Sequence, residues 1–123
     1  HLTKRISTEA GTQLVPTYSY CRVYHNGAIM RPHVDRESCE YSVSLKISGD
    51  DWPLWFDVDG PKSVVLPNGS GVLYKGLETT HWRNEFTGSQ CIQAFFHWVD
   101  PMGPYAEWRY DKRKYLDQEA VPR

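Results

Sequence analysis

The segment RPHVDRESCE, residues 31–40, sets His33 and Asp35 one residue apart. An imidazole and a carboxylate at that spacing are a potential pair of metal ligands. In an extended chain successive side chains point to opposite faces, so His33 and Asp35 share one face and Val34 takes the other. The pair alone is a common three-residue pattern, and a rigid site needs a third ligand from another packed strand. The stretch GVLYKGLETTHWRNEF supplies one: Gly71 to Lys75 reads as a strand, GLE as a turn, and His81 opens the next strand, 46 residues after Asp35. Two neutral imidazoles and one carboxylate on one face of an octahedral ion leave three positions open, the facial arrangement of non-haem iron(II) chemistry. Open positions accept a bidentate 2-oxo acid and then dioxygen, whereas a closed four-ligand zinc site could not.

The elements that must position these side chains read as short strands. Aromatic residues make up 14% of the chain, and eight Pro with nine Gly punctuate it at intervals suited to strands joined by turns. Strands are predicted near 16–24, 28–35, 40–48, 53–57, 63–66, 71–75, 79–83 and 90–99, separated by turn sequences such as HNG, SGDDWP, DVDGP and PNGSG. Eight such segments predict two packed antiparallel sheets, a β-sandwich or jelly roll. No long helical period precedes the end of the chain, where residues 103–117 read as a short helix or an irregular arm.

At 123 residues and 14.3 kDa the chain is expected to form a single domain over 1–123. It opens without an initiator Met, which leaves room for N-terminal residues of a longer protein. The net charge is −1 with both signs spread along the sequence, so no electrostatic footprint for nucleic acid or an anionic membrane is present. Cys21, Cys39 and Cys91 are odd in number and lack zinc-like spacing, and no secretory signal or membrane-length apolar run appears. A reducing cytoplasm is the expected compartment, and a small-molecule or peptidyl substrate the expected partner.

The run YHNGAIMRPHVD resembles the segment of prolyl 4-hydroxylase-type 2-oxoglutarate oxygenases in which a Tyr-containing strand and a Gly turn lead to Pro-His-x-Asp. GSGVLYKGLETTHWR resembles the strand, turn and distal His of the same family, and the pattern extends over 18–103. The resemblance implies an all-β double-stranded β-helix (jelly-roll, cupin-like) with little helix. It implies Fe(II) held by His33, Asp35 and His81, with 2-oxoglutarate and dioxygen as co-substrates and ascorbate as reductant. Tyr24 stands where the family often places a hydroxyl that reaches the co-substrate, and Met30 replaces a frequent second Tyr. The family usually binds the far carboxylate of 2-oxoglutarate through an Arg or Lys about ten residues beyond the distal His, yet positions 90–92 are Gln, Cys and Ile. Arg83 is the leading substitute, two residues after His81 and on its strand face, with a planar fork suited to carboxylates. Lys46 is the second candidate, and Gln90, Gln93 and Arg36 follow.

Other histidines have plainer readings. His97, in QAFFHW, is expected to be a hydrogen-bonded core or pocket-wall residue, and His25 an exposed turn residue. The tryptophans read chiefly as core or contact residues, and the cysteines as small hydrophobes. The expected activity is hydroxylation by a 2-oxoglutarate-dependent iron dioxygenase. The rival readings are a non-oxidative cupin-like metal enzyme and a binding module on the same fold.

Overall fold

Alternation of side chains along two long strands builds the scaffold. In the computed structural model, which describes residues 1–112, a helix α1 (Leu2–Ala10) precedes eight strands: β1 (Val15–His25), β2 (Met30–His33), β3 (Tyr41–Gly49), β4 (Leu54–Asp57), β5 (Pro61–Val64), β6 (Gly71–Tyr74), β7 (His81–Arg83) and β8 (Gln90–Val99). They form two four-stranded antiparallel sheets, ordered β1-β8-β3-β6 and β2-β7-β4-β5. This is the all-β jelly roll expected from the turn spacing, with each of the eight predicted segments a strand. Predicted residues 113–117 of the C-terminal arm lie outside the described residues; before them, Ala106–Lys112 form 3-10 turns broken at Arg109 to Asp111. Among the described residues no helix is long and apolar enough to cross a membrane.

β8 is central to the first sheet, hydrogen-bonded to β1 on one side and β3 on the other. Both of its faces are covered, which accounts for its nearly unbroken apolar run. Gln93, Phe95 and His97 point inward between the sheets, while Trp98 packs outward with Val43, Leu14 and Ile6 of α1. The sequence reading did not foresee α1. It is nine residues long, with Leu2, Ile6 and Ala10 at i, i+4 and i+8, and it ends at Gly11 with φ of 75°. The indole N–H of Trp98 donates to Thr3 Oγ1 at 2.9 Å, tying the helix to the sheet.

The second sheet is shorter and carries the predicted ligand strands. Its β2–β7 pair matches Met30 with Arg83 and His33 with His81, so the four residues of β2 lie opposite the three of β7. That irregularity brings both Met30 and His33 to the inner face despite their odd spacing. On the other face Trp55 and Trp82 stack with ring centres 6.1 Å apart.

Candidate metal centre

His33 and His81 meet because strand register places them opposite each other, with ring centres 4.4 Å apart. Asp35 lies two residues beyond the end of β2, so the predicted strand 28–35 is too long at both ends. Its position is set instead by its backbone N–H, which donates to the Gly76 carbonyl at 2.9 Å. Asp35 Oδ1 comes within 3.2 Å of His33 Nε2 and 3.3 Å of His81 Nε2. One ligand atom from each of the three residues lies within 4.8 Å of the others, and no other such trio of His, Cys, Asp or Glu occurs among the described residues.

The two imidazoles are oriented in the same way. His33 Nδ1 is 2.7 Å from the carbonyl of Arg31, and His81 Nδ1 is 2.8 Å from that of Thr79. A carbonyl only accepts, so each Nδ1 carries a proton and donates it, leaving Nε2 aimed at the shared point. Burial acts to lower the pKa of His81, but the hydrogen bond to Asp35, the Thr79 carbonyl and the Asp35 charge together outweigh it and the net shift is upward. Two imidazole Nε2 atoms and one carboxylate form a donor set that suits a divalent cation.

Gly76 is a positioning residue that the motif reading missed. A β-carbon there would lie 2.5 Å from Asp35 Oδ2, 2.7 Å from the Cys39 carbonyl and 2.8 Å from Ser42 Oγ, so the loop after β6 closes on Asp35 only because position 76 has no side chain. The signal in the sequence was the KG step between strand and turn.

A cavity between the sheets opens from this trio. Arg83 lines it, on the same β7 face as His81 and only 1% exposed. Its guanidinium lies 4.9 Å over the Trp52 ring, and Nη2 makes a long 3.5 Å contact to Gln93 Oε1. Its Nε and Nη1 have no hydrogen-bond partner among the described residues. Burial lowers its pKa, opposed by Tyr24, Cys91, Tyr74 and Tyr20.

The other candidates for the far carboxylate are engaged elsewhere. Lys46 is buried, but its Nζ pairs with Asp51 Oδ1 at 3.1 Å and it does not line the cavity. Arg36 pairs with Asp111 at 2.8 Å, donates to Ser38 and lies 4.6 Å over the Tyr18 ring. Gln90 is exposed, and Gln93 serves as the Arg83 contact. Tyr24 sits outside the lining, edge-on to Trp52 at 5.0 Å in a cluster with Phe86 and Cys91. Its strand neighbours Tyr18 and Tyr20 line the cavity instead, with Tyr74 from β6, whose hydroxyl lies 3.0 Å from Ser44 Oγ. Burial raises the Tyr20 pKa to about 12 and raises that of Tyr74 as well. The alternation in TYSYCRVY put all three tyrosines of β1 on one face, so Tyr18 and Tyr20 were readable from parity. Met30 also lines the cavity, whereas His25, expected in a turn, is the exposed last residue of β1.

No family model matches the sequence, and no curated protein does. Solved structures match the fold. They include AviO1 from Streptomyces viridochromogenes Tue57, with TM-score 0.70 and 16% identity over 84% of this chain and 58% of that one. An oxidoreductase of the 2OG-Fe(II) oxygenase family from Burkholderia pseudomallei matches with TM-score 0.67 and 12% identity, over 79% of this chain and 49% of that one. The non-heme monooxygenase ThoJ, in a nickel complex, matches with TM-score 0.64 and 11% identity, over 82% and 50% of the two chains. At these identities the likeness is one of fold, and the chain spans between 49% and 58% of the length of these structures.

Proposed function

We propose that the chain is an iron(II)- and 2-oxoglutarate-dependent oxygenase that hydroxylates an amino-acid or peptidyl side chain. The observation that carries this reading is Arg83: a buried cation with two nitrogens that have no partner among the described residues, in the same cavity as His33, Asp35 and His81. A buried charge without a counter-ion is costly, and a carboxylate ligand relieves that cost. The fold shared with a 2OG-Fe(II) oxygenase-family oxidoreductase and with ThoJ supports it, as does the prolyl 4-hydroxylase-like motif. A substrate that is not a polyanion fits the net charge of −1.

Iron and 2-oxoglutarate, when bound, supply the oxidising chemistry: one oxygen atom of O2 enters the substrate C–H bond, the other enters succinate, and carbon dioxide leaves. The chain's part is to bind and orient. His33 and His81 present Nε2 lone pairs, and Asp35 sets a carboxylate oxygen between them. Arg83 offers Nε and Nη1 to the far carboxylate of the co-substrate. Tyr74, tied to Ser44, and Leu54 help wall the cavity and limit water. Asp35 also keeps the carboxylate position filled, which argues for hydroxylation over halide transfer.

The test is succinate formation from 2-oxoglutarate under air with iron(II) and ascorbate, beside a zinc-loaded control. Slow uncoupled succinate is expected with iron alone, and Asp35→Ala should abolish most of it. In parallel, anaerobic iron(II) with 2-oxoglutarate should give the weak visible charge-transfer band of a chelated 2-oxo acid. Folded, iron-loaded protein that gives neither signal would refute the proposal.

A further inference from the structure

Three buried side-chain nitrogen or oxygen atoms lack a hydrogen-bond partner among the described residues: Arg83 Nε, Arg83 Nη1 and His97 Nε2. Both residues line the same cavity. Buried polar groups are usually paired, so an orphan in a cavity marks a place where a ligand supplies the missing partner. Arg83 answers to an anion. His97 is 4% exposed and stands apart from the metal trio, and it asks a separate question.

The protonation state of His97 follows from its neighbours. Ser42 Oγ donates to the Cys39 carbonyl at 3.2 Å and lies 2.8 Å from His97 Nδ1. A hydroxyl has one proton, and the carbonyl can only accept it. With that proton committed to the Cys39 carbonyl, the Ser42 oxygen accepts from His97 Nδ1, and Nε2 is left as a bare lone pair. Burial lowers the pKa of His97 to about 4, so the ring is neutral near pH 7. The ring is held in place by Tyr18, whose centre is 4.5 Å away, and Tyr18 is in turn fixed by Arg36 above it and by Cys39 Sγ at 3.3 Å from its hydroxyl.

His97 and the Arg83 contact residue Gln93 lie on the same face of β8, four residues and so roughly 13 Å apart along the strand. The inward side of Phe95 separates them. The cavity thus offers donors to an anion beside Gln93, and the His97 Nε2 acceptor beside Tyr18 and Phe95.

We infer that His97 Nε2 is a specificity-determining acceptor for the primary substrate, which therefore carries a hydroxyl or N–H donor on the part that enters beside Tyr18 and Phe95. This deepens the oxygenase reading and rests on it for the word substrate. The acceptor itself is a property of the cavity. A site built around a buried acceptor rejects analogues that lack the donor, because the acceptor is then left unpaired.

The experiment uses the full chain with ¹⁵N-labelled histidine, both metal-free and loaded with zinc(II) and 2-oxoglutarate. The His97 signals are assigned by their loss in His97→Phe. The probes are 1-butanol, its isomer methyl propyl ether, and n-butylamine. Expected results are a bare Nε2 in the parent, displaced by the alcohol or the amine, and binding of at least one of these about 3- to 10-fold tighter than the ether. The stronger of the two arms distinguishes a hydroxyl from an ammonium group. His97→Phe should abolish the preference, and His97→Gln, which keeps a carbonyl acceptor, should restore part of it. A proton on Nε2, equal binding of alcohol and ether, or no displacement by any probe would overturn the inference. If zinc and 2-oxoglutarate fail to bind while the metal-free protein keeps the preference for donors, the oxygenase reading falls and the acceptor site stands.

Discussion

Replacing Arg83 by Met should move stability and co-substrate binding in opposite directions. Arg83 is 1% exposed, and among the described residues its Nε and Nη1 have no partner and its guanidinium makes only the 3.5 Å contact to Gln93 and the stack on Trp52. Met has a similar length and no charge to desolvate, and Gln93 keeps its Nε2 contact to Cys91 Sγ at 3.0 Å. Removing an unpaired buried cation is therefore expected to stabilise the ligand-free protein by about 1–3 kcal/mol. Binding should lose about 1.5–3 kcal/mol, the worth of a charge-assisted hydrogen bond, or roughly 10- to 100-fold in 2-oxoglutarate affinity. The assays are thermal unfolding of the metal-free protein and calorimetric titration of the zinc-loaded protein with 2-oxoglutarate. Lys46→Met is the comparator, because its Nζ is already paired with Asp51, and it should leave the titration unchanged. An Arg83→Met protein that is less stable than the parent and binds 2-oxoglutarate equally well, while Lys46→Met binds it poorly, would refute the reasoning.

Gly76→Ala should lower zinc affinity more than it lowers folding stability, because the new methyl group meets Asp35 Oδ2 at 2.5 Å before it meets any apolar core; zinc titration against a competing chelator, with unfolding curves on the same samples, checks this. The neutral burial of His97 should make stability fall in mild acid. Its folded pKa is near 4 and its unfolded value near 6.5, so its contribution is fully present above pH 6.5 and is lost as the pH falls toward 4. The total is about 3 kcal/mol, read as the difference in pH slope between the metal-free parent and His97→Phe; parallel slopes would contradict it.

Much of the scaffold was legible because turn chemistry and aromatic content agree along the chain: each of the eight predicted segments overlaps a strand of the two sheets. The convergence of His33, Asp35 and His81 was legible too, though by a different route from the one assumed. Face parity would have needed a strand through Asp35, whereas β2 stops at His33 and the Gly76 carbonyl holds Asp35 in place. Such a contact joins residues 41 positions apart, and local pattern carries no trace of it. Tyr24 illustrates the converse. Its strand and face were readable, but which of three same-face tyrosines meets the cavity depends on where Trp52 and Phe86 pack.

Strand β3 shows why α1 escaped notice and why it is needed. YSVSLKISG alternates polar and apolar residues, which in a two-layer fold ordinarily puts Val43 and Leu45 in the core and Ser42, Ser44 and Lys46 in water. Here the polar set is the interior one: Ser42, Ser44 and Lys46 are 0%, 1% and 3% exposed. Ser42 holds His97, Ser44 meets Tyr74, and Lys46 meets Asp51. An interior lined with hydroxyls and imidazoles suits a ligand better than it suits a dry core. The apolar face is then left outward and must be covered by something else, and α1 does so by setting Ile6 against Val43 and Trp98. A polar inner face in the middle of a jelly roll and an amphipathic helix on its outer face are thus two consequences of one arrangement: a sheet that gives its inner side to a binding cavity has to bury its apolar side elsewhere.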